Sequence, residues 1–226
     1  MKSSGKTWFL AALSSLVGWS AVGQVTNIME GDTVGNTLAA INSNFQQLAV
    51  TNFYLNIFPE QISAAGTNPA AREVLTFSTP NITVDSWAFD TASDEYVSFP
   101  VVFPREWDEG EITVKISCVL NTGTMTEGNS VWWGISGLSF DSGDAIDQAF
   151  GGETTASASI VAGQTNGSML VSSASFSITM SGNSTDGNYN QIRIRRVTAI
   201  DNFDDDAHLT GVHIEGTYIP AATPQF

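Results

Sequence analysis

Cysteine is nearly absent from this chain. Cys118 is the single one among 226 residues, which excludes an intrachain disulfide and any paired-cysteine metal or redox motif. Histidine is as scarce, with only His208 and His213, too few for a histidine-rich metal centre. Basic residues are few: eight Lys and Arg stand against 23 Asp and Glu, for a formal net charge of −15. Nucleic acid is therefore not an expected partner, because phosphate binding needs clustered Lys and Arg. Charge of either sign is thin, at 14% of the chain, and its place is taken by Ser, Thr, Asn and Gly, a composition that disfavours a mostly helical protein. Catalytic signatures are missing too: there is no GxSxG, no phosphate-binding glycine loop, no HExxH and no DxDxDG calcium loop. Acids are abundant, but no spacing singles out a glycosidase pair, so a non-enzymatic protein is expected and a sandwich hydrolase ranks third.

What is present suffices for a packed core. Hydrophobic residues make up 42%, with 13 Phe and 6 Trp, which argues against a disordered chain. The charge is unevenly placed. Residues 1–80 carry four acids and three bases, a net of −1, whereas 81–226 carry nineteen acids and five bases, a net of −14. The split suggests a near-neutral arm and an acidic body.

The arm reads in two pieces. Residues 1–30 begin with Lys2 and Lys6, then an apolar run over Trp8–Trp19, then the small residues Ala21-Val22-Gly23. This is the shape of a secretory signal peptide, and equally of a retained apolar anchor. The run is too short for a transmembrane helix, so a membrane span is not expected. Residues 31–73 are read as one amphipathic helix and a linker. Val34, Leu38, Ile41, Phe45 and Leu48 recur at spacings of 4, 3, 4 and 3, a single helical stripe with Asp32 or Thr33 as its cap. The stripe either lies on its own domain or forms a short bundle between identical chains. Over 55–73, Pro59, Gly66 and Pro69 break the pattern and predict a linker or strap.

From 74 to 226 the chain reads as strands. The clearest is Glu111–Leu120, in which Ile112, Val114, Ile116 and Cys118 alternate with Thr113, Lys115 and Ser117. Other expected strands are 74–77, 82–89, 96–103, 130–140, 154–161, 168–180, 190–197 and 209–218, with one helical turn at 144–150. The fold class is mostly β: a jelly-roll-like β-sandwich preceded by an arm with one amphipathic helix. Alternation predicts a core of Trp87, Phe89, Val97, Phe99, Ile112, Val114, Ile116, Cys118, Ile135, Leu138, Ile192, Ile194, Val212 and Ile214. Trp132 and Trp133 are adjacent on a strand and must face opposite ways. With Trp107, in the acidic loop PREWDEGE, they are the candidate glycan contacts. Asp204, Asp205 and Asp206 are a candidate Ca²⁺ site, or simply a solvated loop; no other cofactor is expected. Arg193 and Arg195 share one strand face, opposite Ile192 and Ile194, and either pair with carboxylates or meet a sugar or lipid headgroup.

GDTVGNTLAAINSNFQQL resembles a short segment near the N-termini of tailed-bacteriophage tail and fibre proteins. In the body, FDTASDEYVSFPVVFPREWDEGEITVKI, VWWGISGLSFDSGDAIDQAFGG and QIRIRRVTAIDNFDDDAHLTGVHIEGTY resemble a jelly-roll domain of marine-phage structural proteins. The resemblance covers 32–52 and 86–218. It implies a virion fibre, spike or decoration protein, with other virion proteins and a host-surface glycan as partners. It also implies a homotrimer; separately, a helix this short needs its stripe buried, which would put residues 33–53 near the axis. The alternative is a secreted carbohydrate-binding β-sandwich whose signal peptide is removed.

Overall fold

The computed structural model describes residues 52–218, apart from 79–80, 106, 122–124, 173–175, 179 and 183–187, and without the side chains of 176–177. The apolar N-terminal segment and the Val34, Leu38, Ile41, Phe45 and Leu48 stripe lie outside the described residues. Among the described residues thirteen strands follow one another: β1 (Asn52–Ile57), β2 (Ser63–Ala64), β3 (Ala71–Phe77), β4 (Ile82–Phe89), β5 (Tyr96–Val101), β6 (Ile112–Leu120), β7 (Ser130–Phe140), β8 (Thr154–Ser159), β9 (Ser168–Val171), β10 (Phe176–Ile178), β11 (Met180–Ser181), β12 (Tyr189–Arg196) and β13 (Ala207–Thr217).

They form two sheets. In the first, β3–β4–β13–β6 are neighbours in that order, β9 and β10 share the far edge of β6, and β1 joins β13 beyond β4. In the second the order is β2–β5–β12–β7, with β8 and β11 on the far edge of β7. The chain changes sheet between β1 and β2, β2 and β3, β4 and β5, β5 and β6, β6 and β7, β8 and β9, β10 and β11, and β12 and β13. That wrapping is a jelly roll.

Period-two patterning explains the layers. Along β6, Ile112, Val114, Ile116 and Cys118 are fully buried and the residues between them are half-buried. The expected core residues are all buried, and all but Leu138 belong to the central cluster. Leu138 is paired with Gln191 on the outer face of the second sheet, so its burial is a separate event. In β13 the register shifts between Leu209 and Gly211. Thr210 is the extra residue, and it switches the inward set from Ala207 and Leu209 to Val212 and Ile214.

Three expectations are corrected. The sandwich does not begin at 74: its first described strand starts at Asn52, and the expected linker holds the end of β1, all of β2 and the start of β3. Phe53 and Ile57 point into the core while Tyr54 and Asn56 point out, and β1 pairs with β13 over its whole length. Pro59 does not break structure there. It opens a 3-10 turn over Pro59–Gln61, and its carbonyl accepts the Trp87 indole N–H at 3.0 Å. Finally, 144–150 is not helical. Asp141 and Asp144 close a turn on each other, and the following residues run as exposed irregular chain.

Candidate functional site

The sequence QIRIRRV places three arginines on β12 in three environments. Arg196 points inward and is wholly buried. Its Nε and Nη2 donate to the two carboxylate oxygens of Asp201 at 3.0 and 2.9 Å, and its remaining donors go to the carbonyls of Phe89, Asp205 and Phe203 at 2.7–2.9 Å. All five guanidinium donors are thereby used. Asp201 in turn accepts the backbone N–H groups of Trp132 and Phe203. The acidic loop after β12 is thus organised around a guanidinium.

This corrects the calcium expectation. No group of three or more His, Cys, Asp or Glu able to hold a metal gathers among the described residues. Asp204 faces solvent, the Asp205 carbonyl accepts from Arg196, and the Asp205 carboxylate accepts the backbone N–H of Asp206. Burial, with Asp205 beside it, pushes the Asp206 carboxyl up from its ordinary range.

Arg195 lies on the outer face. It holds Glu153 through two bonds of 2.6 Å and also pairs with Asp94. Its register partner on β7 is Gly134, where an added Cβ would stand 2.6 Å from the Glu153 carboxyl carbon. The missing side chain is what lets Glu153 lie flat against the sheet and reach Arg195.

Arg193 has the third environment. Its guanidinium lies over the Phe150 ring at 4.3 Å and over the Tyr96 ring at 5.2 Å. No carboxylate among the described residues is within ion-pair distance of it. On its own rung across the sheet stand Ser136 on β7, Ser98 on β5 and Ser63 on β2, small hydroxyls that leave the guanidinium uncrowded. Ser136 is buried and its Oγ has no hydrogen-bond partner. Outward side chains extend the face in both directions: Trp132 at one end, Gln191 in the middle, Phe140 and Tyr189 at the other, the last two rings 5.9 Å apart. From Trp132 to Phe140 is eight residues along β7, roughly 26 Å of strand. The outcome is an elongated, half-exposed strip of aromatic rings, hydroxyls, an amide and the Arg193 guanidinium, with the Arg195–Glu153–Asp94 ion-pair group on the rung between Trp132 and Arg193.

Of the candidate glycan contacts, only Trp132 belongs to this strip. Trp107 and Trp133 are corrected to core residues. Trp107 packs on Phe103 at 4.5 Å and bridges to Tyr218, so the acidic loop stays at the surface while its indole turns in. Trp133 packs edge-on against Phe89 at 5.1 Å. The strip residues that sequence reading passed over are Tyr96, Phe140, Phe150, Tyr189 and Gln191. Tyr96 was legible, since YVSF alternates with Val97 and Phe99 inward; Phe150 was hidden by the helical reading of its segment.

Two other clusters have less to offer. On the first sheet Tyr54 is 56% exposed and stacks on His213 at 5.4 Å, while His213 shares a 2.9 Å hydrogen bond with Asn56. Ser86, His208 and Glu73 also meet, but both partners approach the same ring nitrogen, at 3.4 and 3.9 Å, and Ser86 is fully buried. A hydrolytic triad needs the nucleophile and the acid on opposite nitrogens and an accessible hydroxyl, so this set is not one.

No family model matches the chain, and no curated protein does. Among solved structures it is similar to a non-crystalline-cellulose-specific carbohydrate-binding module of family 28. The identity is 11% and the TM-score 0.38, over 72% of this chain and 88% of that one. It is also similar to a family 11 carbohydrate-binding module from Clostridium thermocellum, in complex with a β-1,3-1,4-mixed-linked tetrasaccharide. There the identity is 10% and the TM-score 0.29, over 79% and 92% of the two chains. A protein of unknown function from Shewanella oneidensis MR-1 is 10% identical at a TM-score of 0.31, over 88% of this chain and all of that one. Overlaps this loose say nothing about a ligand.

Proposed function

We propose that this jelly roll is a non-catalytic carbohydrate-binding module whose ligand lies along the outer face of the second sheet. The observation that carries the reading is the half-exposed Tyr96–Arg193–Phe150 group, set in a strip of further aromatics, hydroxyls and an amide. Sugar rings present apolar C–H faces and polar edges. Aromatic rings take the faces, and Arg, Gln and Ser side chains take the hydroxyls. The strip's length suits a chain of sugars better than a single one.

Affinity electrophoresis of the full chain through gels holding neutral and acidic polysaccharides tests this. At least one polymer should retard the protein. Phe150→Ala and Tyr96→Ala should each weaken that retardation about tenfold, the equivalent of ~1.4 kcal/mol. Tyr54→Ala, on the other sheet, should leave it unchanged. A panel without retardation, or a loss with Tyr54→Ala alone, overturns the assignment.

The place where the module works is a separate proposal. The resemblance of 32–52 and 86–218 to tailed-phage structural proteins supports a second reading, in which the module is a virion component that meets a host-surface glycan. Mass spectrometry of purified particles tests it, and absence of the protein from them removes it. For the secreted alternative, intact mass of the exported protein should show loss of the first 23 residues.

A further inference from the structure

Resting on the carbohydrate reading, we infer that the glycan this strip selects carries isolated carboxylates, one of which seats on Arg193. In a chain with 23 acids and eight bases, a half-buried guanidinium without a carboxylate among the described residues is conspicuous. Its neighbours on the same strand are both spent: Arg195 on Glu153 and Asp94, Arg196 on Asp201. Arg193 rests on two rings, which strip part of its hydration and leave its in-plane donors to a ligand. A planar carboxylate matches that fork through two parallel hydrogen bonds, and charge assistance makes each stronger than a bond to a sugar hydroxyl. The rung adds Ser98 and Ser136, the latter a buried hydroxyl with no partner of its own.

The same surroundings select against a dense polyanion. The loop leading to Phe150 carries Asp141, Asp144 and Asp147, all exposed, and the whole chain is at −15. A closely charged polymer would be repelled along its length, whereas a mostly neutral chain with sparse uronates would meet one complementary charge. The ligand class is therefore a neutral-backbone polysaccharide with scattered uronic acids.

The test pairs glucuronoxylan and gellan with their carboxyl-reduced counterparts, in which each uronate has become a neutral sugar on the same backbone. Wild-type full chain should be retarded more by the native polymer of at least one pair than by its reduced form, by about tenfold in affinity or more. Arg193→Gln should erase that difference, so that native and reduced forms are retarded equally, at whatever level the loss of the guanidinium sets for both. Arg193→Lys keeps the charge, loses the fork, and should fall between the two. It also serves as the informative variant if the glutamine protein does not fold. Equal retardation by native and reduced polymers overturns the carboxylate preference and leaves the carbohydrate reading standing. So does a difference that persists in Arg193→Gln. Retardation by none of these, nor by any polymer of the broader panel, overturns both.

Discussion

Arg193, Arg195 and Arg196 lie within four residues and do three different things. The alternation of a strand separates the first two from the third, and the chain nearby completes each environment. Arg196 is the structural one. Its charge is out of water, paired with a carboxylate that is itself only 3% exposed, and three carbonyls depend on it. Truncating one partner of a buried ion pair leaves the other charge stranded, so Arg196→Ala should cost about 3–5 kcal/mol in chemical denaturation. A loss near 1 kcal/mol would show that water replaces the guanidinium easily. The adjacent Cys118 environment is inert: burial pushes its thiol up to about 12, with Trp133 offsetting only part of the effect.

At the scale of elements, β13 meets β4 and β3 around His208. The imidazole is 4% exposed and shares a 3.4 Å contact with Ser86 of β4. Burial pushes its pKa below the ordinary value, and Glu73, Asp206 and Asp205 pull the other way without cancelling it. As pH falls through about 6.5 the unfolded chain therefore takes up a proton that the folded chain resists, and stability declines. Glu95 and Asp206, both raised by burial, act in the opposite sense: they favour the folded state in acid and lose that contribution as pH rises through their folded values. Denaturation at pH 7, 6 and 5 should show His208→Gln losing less stability than wild type across that interval. Identical slopes in the two would place the proton uptake elsewhere. Nothing in the strand AHLTGVHIEGT marks His208 as buried and His213 as half-exposed. Both point outward, and what differs is that the β3–β4 hairpin, with Glu73 and Ser86, packs beside the first alone.

For the molecule as a whole, a net charge of −15 makes self-repulsion the relevant electrostatic effect. With no cation-binding group among the described residues, added salt should act through screening. The melting temperature should rise with NaCl, and CaCl2 at matched ionic strength should raise it equally. A larger rise with calcium would reveal a metal site formed by residues outside those described.

The amino-acid sequence alone determined the all-β class, the inward register of the main strands and the burial of their alternating residues. A period of two is enough to decide which side of a sheet a residue faces. It could not decide what covers that side. Alternation put one of Trp132 and Trp133 in the core without saying which, and left Trp107 either a glycan platform or a cover for the end of the sandwich; Trp133 and Trp107 are core, because one strand face meets Phe89 and one loop folds its indole inward. Segment 55–73 looked like a linker, and β1, which ends in it, gained its place only by pairing with a strand more than 150 residues later. The Tyr96–Arg193–Phe150 group draws on two strands and a loop far apart in the chain. Local patterning carries no information about such encounters, which arise only when the two sheets close and the loop after β7 crosses the outer face.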